Sequence, residues 1–320
     1  MPKEFRISAG KALHNTLTMK QEKIYDVIIT GGSYTGLSAA MALGRSLRQV
    51  LIIDAGKPCN RQTPHSHNFL TQDGSTPAEL ARIARGQVLR YNTVQWQEGY
   101  AISAEKKEGL FRVRTGEGDT FAARKLILAT GVNDILPDIP GFAACWGISV
   151  LHCPYCHGYE VRHESLAISG NGDAGYEYSR LLSNWSARLS LLTNGPSTLT
   201  EEQQNNLHRH GVQIIEHPVT ALEHEQGRLQ HIVFGDGSKA AFSALFARPV
   251  SKQHNNLAEQ LGCALNEQGL ITADALQRST VPGVWAAGDN SSPMRSVSVA
   301  IAAGTMAGAA CNKELIEDSF

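Results

Sequence analysis

The stretch that decides the fold runs from Tyr25 to Gly56, YDVIITGGSYTGLSAAMALGRSLRQVLIIDAG. A β-branched apolar run, Val27 to Thr30, meets a glycine turn. An Ala/Leu-rich stretch of helical character follows, then a second apolar run that ends at Asp54. This order predicts a β-α-β unit whose loop lies at the C-terminal edge of the first strand. Gly31 and Gly36 hold the outer positions of a G-x-G-x-x-G loop, and Ser33 replaces the middle glycine. The outer pair permits a tight turn and close helix–strand packing, and the free N–H groups of the helix N-terminus favour a pyrophosphate. Asp54 follows the loop by about 20 residues, where an acid bonds ribose hydroxyls.

A second unit of the same kind begins at Ser165, SLAISGNGDAGYEYSRLLSNWSARLSLLTNG, with all three loop glycines present as Gly170, Gly172 and Gly175. Its second strand ends in Thr193 and Asn194, which supply neither an acid for a 2′-hydroxyl nor an arginine pair for a 2′-phosphate. Arg188 precedes that strand and is no obvious substitute. Two readings stay open: an unusual NAD(P)H site, or a unit that keeps its shape without a nicotinamide. Between the units lies RKLILATGVNDILPDIPG, and after them STVPGVWAAGDNSSPMRSVSVAIAAGTMAGAA, a strand, a Gly-Asp turn and a small-residue helix. Crossings are expected at the proline-rich 137–141 and at 262–269, with the second unit inserted into the first. The expected fold class is α/β, with two Rossmann-like three-layer dinucleotide-binding domains. Residues 23–138 and 266–320 form the first, 139–265 form the second, and 1–22 are a flexible extension.

Composition narrows the function classes. The chain has 320 residues, 42% of them hydrophobic, enough for two domains with real cores. Its formal net charge is -1 and no basic run or stripe points to nucleic acid or an anionic membrane surface. No apolar run approaches the ~18 residues of a membrane span, and the N-terminus lacks a secretory h-region. A soluble cytoplasmic protein is expected, in which six cysteines are no disulfide framework.

HCPYCHGYE, His152 to Glu160, carries the chemistry. Two cysteines so spaced can be a redox disulfide, half of a metal site or two inert thiols. Zinc needs two more ligands. His152 and His157 flank the pair too closely to close a tetrahedron readily, and Cys145 and Cys263 have no C-x-x-C partners. No metal is expected. A C-x-x-C pair that begins a turn can hold a thiolate with a pKa near ~7. Either histidine, ordinarily titrating near ~6.5, could shuttle its protons. Cys59 reads as structural, His65 and His67 as a surface or cofactor-side loop, and the tail KELIEDSF as a segment that frays.

Five motifs in order, GGSYTG, LILATGV, CPYC, GNGDAGYE and GVWAAGDN, followed by RSVSVAIAAG, resemble the low-molecular-weight thioredoxin reductase superfamily of FAD-dependent disulfide oxidoreductases. The resemblance spans about Tyr25 to Ala310. CPYCHGYE and TNG resemble a divergent branch that includes gliotoxin- and holomycin-type dithiol oxidases and reductases without ordinary NADPH signatures. The resemblance implies that Gly31, Ser33, Gly36 and Asp54 serve the ADP part of FAD. It places Thr130 and Gly131 at a strand end, Gly288 and Asp289 at the flavin phosphate and ribitol, and Arg295, Ser296 and Val297 at the flavin's pyrimidine edge. Cys156 would face the flavin and Cys153 would exchange with an external disulfide. His157 would stand where typical relatives carry an acidic proton carrier. A homodimer is implied, with a thioredoxin-like protein or a small dithiol/disulfide as substrate and NAD(P)H as an open question. An oxygen-dependent dithiol oxidase and a flavin-binding redox sensor are the alternative functions. Phe320 in the tail could stack on the flavin.

Overall fold

The computed structural model describes residues 22–320; the expected extension, Glu22 apart, lies outside them. The chain opens with β1 (Ile24–Thr30), α1 (Tyr34–Arg45), β2 (Val50–Asp54), α2 (Pro77–Val88) and β3 (Val94–Glu98). β4 (Ala101–Lys107), β5 (Leu110–Thr115) and β6 (Thr120–Leu128) follow, then β7 (Val132–Ile135). The middle of the chain holds α3 (Phe142–Cys145), β8 (Val150–Leu151), α4 (Pro154–His157), β9 (Leu166–Ser169), α5 (Gly172–Leu182) and β10 (Leu189–Leu192). It continues through α6 (Glu201–Arg209), β11 (Gln213–Ile215), β12 (Val219–Glu225), β13 (Arg228–Phe234), β14 (Lys239–Ala241) and β15 (Ala244–Phe246). β16 (Val250–Gln253), α7 (Leu257–Gln260), β17 (Val284–Ala286) and α8 (Val297–Glu317) complete it.

Val27, Ile28 and Ile29 of β1 are wholly buried, as expected of a parallel strand covered on both faces. The first sheet runs β3-β2-β1-β6-β5-β4. β6 pairs in parallel with β1 and, through its second half, with β17; its first half pairs antiparallel with β5. Thr30 faces Ile53 and Leu128, and Leu128 faces Ala286, so three strands end level. That register brings the Gly31 loop, Ala129–Gly131 and Ala287–Asp289 to one sheet edge, where ligands of open α/β sheets bind. Behind it α1 lies on α8, small residue against small residue. A Cβ on Gly304 would come within 2.1 Å of the Thr35 carbonyl oxygen.

The second sheet, β11-β10-β9-β15-β8, is parallel throughout, with the antiparallel β12-β13-β14 beside it. The two sheets are joined by an antiparallel ribbon of β7 and β16, with Val132 opposite Gln253 and Ile135 opposite Val250. The return crossing therefore sits at 250–253 and not at the glycine-containing 262–269. Leu257, Ala258 and Cys263 explain the difference: they pack into the first sheet's core with Ile28 and Leu126. The C-terminal tail departs from expectation too. α8 continues through it, pinned by Lys125 Nζ at 2.6 Å from Glu314 and 2.7 Å from Asp318. Phe320 ends in solvent, away from the cavity described next.

Candidate functional site

A cavity of about 1220 Å³ runs along the level strand ends and is closed on one side by the α4 turn. Gly31, Ser33 and Asp54 line one end, Thr130 and Gly131 the middle, and Asp289, Arg295, Ser296 and Val297 the far side. Cys153, Cys156 and His157 reach the same cavity from the second sheet. Gly36 and Gly288 lie just behind the wall. A Cβ on Gly36 would sit 1.8 Å from the Gly31 carbonyl oxygen, and one on Gly288 would sit 2.4 Å from Thr35 Oγ1. Gly170, Gly172 and Gly175 stand apart from this cavity.

α1 starts at Tyr34 with neither a side-chain cap from Ser33 nor an acid in its first turn, so its leading N–H groups face the cavity unpaired by side chains. An anionic diphosphate suits such an end. Asp54 accepts from the Gly32 and Gly56 N–H groups at 2.7 and 3.0 Å, which fixes the loop as well as offering remaining lone pairs to a ribose. Trp96, stacked under the Arg85 guanidinium at 4.0 Å, also lines the cavity, and its buried Nε1–H has no partner. These features fit a dinucleotide. α8 sends its N-terminus, capped by Ser296 on the Val299 N–H at 3.2 Å, into the same cavity.

Arg295 is the hinge of the far side. It binds Asp134 of β7 in a two-pronged pair at 2.7 and 3.0 Å and reaches Asp289 at 3.3 Å. Burial opposes its charge, yet the two carboxylates hold its pKa above the ordinary range. Burial pushes the Asp289 carboxyl up despite Arg295. Cys59 keeps surface toward this cavity, but loss of water and then the Asp289 charge push its thiol up to about 11, which leaves it a poor nucleophile. Sequence reasoning missed Asp134, Trp96 and Asn290. Asn290 donates to the Leu128 carbonyl at 2.9 Å, and its neighbour Asp289 was the only signal.

Cys153 and Cys156 are disulfide-bonded, their Cα atoms 5.3 Å apart, with Pro154 opening the α4 turn between them. Tyr155 packs edge-on against Trp185, which holds the turn from behind. His152 is pushed down to about 4 by burial and then by Arg295; His157 is pushed down to about 4 by burial and then by His67. Both rings are neutral near pH 7 and can accept a proton on one nitrogen while releasing one from the other. Among the described residues no three His, Cys, Asp or Glu side chains converge as metal ligands.

The low values make a stability prediction. Unfolded, each histidine takes a proton near ~6.5; folded, it resists protonation down to about 4. Between those values the unfolded chain binds more protons, so their contribution is whole above pH ~6.5 and is lost as pH falls through the window. Urea unfolding should show a loss of up to about 3 kcal/mol per ring on acidification. The His152→Asn/His157→Asn double variant should be flatter over that range. An unchanged slope in that variant would refute the assignment.

The sequence pattern of the pyridine nucleotide-disulphide oxidoreductases matches residues 25–304. The chain belongs to that family. Within it, the chain is 34% identical to thioredoxin reductase tcpT of Claviceps purpurea, over 94% of this chain and 97% of that protein. It is 31% identical to thioredoxin reductase sirT of Leptosphaeria maculans, over 90% and 94%. Among solved structures, an oxidoreductase from Agrobacterium tumefaciens shares 37% identity and superposes with a TM-score of 0.87, covering 92% of this chain and 99% of that one. The enzyme is thus a flavin-dependent, thioredoxin reductase-like disulfide oxidoreductase with the expected pair of Rossmann-like folds. Among its described residues no helix is long and apolar enough to cross a membrane.

Proposed function

We propose that the enzyme moves electrons between FAD and a dithiol or disulfide substrate through Cys153 and Cys156, without a nicotinamide bound in its second unit. The observation that carries this is the Cys153–Cys156 disulfide lining the same cavity as the Gly31 loop and the α8 N-terminus. In this reading Gly31, Ser33, Gly36 and Asp54 hold the ADP part, with Thr130 and Gly131 beside it. Gly288 and Asp289 hold the ribitol end, and Arg295, Ser296 and Val297 sit at the pyrimidine edge. When bound, FAD accepts or gives an electron pair. The α8 N-terminus favours the negative charge that reduction brings. Cys156 is the cofactor-side sulfur, Cys153 exchanges with the substrate, and His157 carries protons between sulfur and the cavity. We take β7 and β16 as the crossings, which moves α7 and Cys263 from the expected 139–265 unit into the FAD-binding unit.

The second glycine loop argues against a nicotinamide because this chain's own groups already fill it. The Asn171 side chain accepts from the N–H groups of Gly172 and Thr198, each at 2.8 Å, and donates to the Pro196 carbonyl at 2.9 Å. The segment after β10 is thereby tied to the glycine loop where a dinucleotide would enter. Asp173 adds a carboxylate in the first turn of α5, the end that should attract phosphate. Arg188 is turned away, bonded to the His163 carbonyl. Gly170, Gly172 and Gly175 then serve close packing, and electrons enter from a dithiol or another reduced partner. The substrate is a thioredoxin-like protein or a small dithiol/disulfide, and we read the working form as a cytoplasmic homodimer. The closed loop favours, as a second reading, a dithiol oxidase that uses oxygen.

Anaerobic titration tests the donor. Dithiothreitol should bleach the oxidised flavin band, and NADPH or NADH in excess should leave it unchanged within the time of a turnover. Rapid bleaching by either nucleotide would overturn the donor assignment.

A further inference from the structure

Opening a disulfide needs a proton, and in the α4 turn Cys153 and Cys156 are only partly exposed. An external thiolate that attacks Cys153 breaks the S–S bond, forms a mixed disulfide and leaves Cys156 as a thiolate. A second thiol of the reductant then resolves the mixed disulfide and departs oxidised. Across both steps two protons pass from the reductant to the two cysteines, and closure reverses them. His157 adjoins Cys156 and is half-buried and neutral, so a neighbour that passes protons to and from solvent would speed its exchange.

His67 occupies that place. It comes from the loop between β2 and α2, in the first unit, and lines the cavity with Cys153, Cys156 and His157. Its Nε2 lies 3.5 Å from Glu160 Oε1, across the unit boundary and just beyond the α4 turn. Its Nδ1 lies 3.7 Å from Asp73 Oδ1 on its own loop. The His67 side chain is 22% exposed, while Glu160 and Asp73 are 40% and 66% exposed. Exposure therefore rises from His67 to the two carboxylates, and a proton on His67 would disfavour one on His157. Among the described residues His65 also faces this ring, its centroid 6.3 Å away, with Nδ1 within 2.9 Å of the Gly74 carbonyl oxygen.

We propose that His67 is a proton-relay residue for the cysteine pair, passing protons between His157 and the solvent-facing carboxylates of Glu160 and Asp73. It acts through His157 and touches neither sulfur, so it is a positioning and relay residue for the exchange. The inference rests on the reading of Cys153–Cys156 as the redox pair. It also gives the crossing of the His67 loop onto the second unit a purpose beyond packing: the acceptor Glu160 travels with the cysteines, whereas His67 stays with the first sheet. The relay is complete only when the two units are in the arrangement seen here.

The test follows opening of Cys153–Cys156 by dithiothreitol in the holoenzyme, with acid quench, alkylation and intact-mass analysis from pH 5 to 9. His67→Gln should slow opening at pH 7 by about 10-fold or more, less than the ~10²–10⁴ of a group in direct contact because His67 acts through His157. Imidazole added at tens of millimolar should restore most of the rate, and the solvent deuterium effect should rise. Glu160→Gln, which keeps the side chain's shape, should give a smaller loss and an altered pH profile. Histidine signals followed by NMR during pH titration should show that His67→Gln changes the titration of His157. Wild-type rate and pH profile in both variants would overturn the relay while leaving the redox pair standing. So would a loss in His67→Gln that imidazole does not relieve. Failure of dithiothreitol to open the pair in the wild-type enzyme would overturn the function itself.

Discussion

Cys156→Ser is expected to keep the flavin and lose turnover by about 10³-fold or more, because a serine hydroxyl can neither form the disulfide nor pass an electron pair through sulfur. The change removes little volume, and Cys156 contributes a wall atom rather than a contact with the nucleotide loops, so cofactor binding has no reason to fail. The visible spectrum of the purified variant reads the flavin content, and dithiol-driven turnover reads the chemistry. Cys153→Ser should also lose turnover. Its remaining thiolate is the cofactor-side one, so a long-wavelength charge-transfer band should appear in it and be missing from Cys156→Ser. Loss of flavin in Cys156→Ser, or activity near wild type, would remove Cys156 from its proposed role.

Gly36→Ala should damage the fold itself. The added Cβ would stand 1.8 Å from the Gly31 carbonyl oxygen. The obstacle is backbone held by the Gly31 N–H bond to Ile53 at 2.8 Å, so it cannot swing aside as a side chain would. Overpacking a core position typically costs about 1–3 kcal/mol, and a rigid obstacle places this site at or above that upper end. Urea unfolding and flavin content should fall together, since α1 would be displaced from the cofactor loop. A loss under about 1 kcal/mol with full flavin content would show that the loop relaxes.

The two β-α-β units were legible because their signals are local: a buried apolar strand, a glycine turn and a helix in one continuous stretch. In the first loop Ser33, standing in the middle glycine's place, lines the cavity without capping α1. The crossing at β16 was not legible. Nothing in VSKQ marks it as the partner of VNDI, because the pairing depends on segments more than a hundred residues apart in the chain. The role of Asn171 was hidden for a related reason. An asparagine inside G-x-G-x-x-G looks permissive until the fold brings Pro196 and Thr198 back onto it. The anchored tail depended on Lys125, a basic residue in a mostly apolar strand that gave no hint of Glu314 and Asp318. His67 read as part of a surface or cofactor-side loop, with no hint of Glu160, because that partner belongs to the other unit.

The β7–β16 ribbon carries a consequence for how such a chain tolerates its own architecture. Ile135 and Val250 are cross-strand partners, so the inserted unit leaves and re-enters through neighbouring backbone positions. To the first sheet, the whole second unit is the loop of a hairpin. Since the entropy of closing a loop grows only with the logarithm of its length, the host is nearly indifferent to how much chain the hairpin encloses. The second unit can therefore gain or lose chain length with little cost to the first sheet, provided the surfaces that meet at the shared cavity are kept.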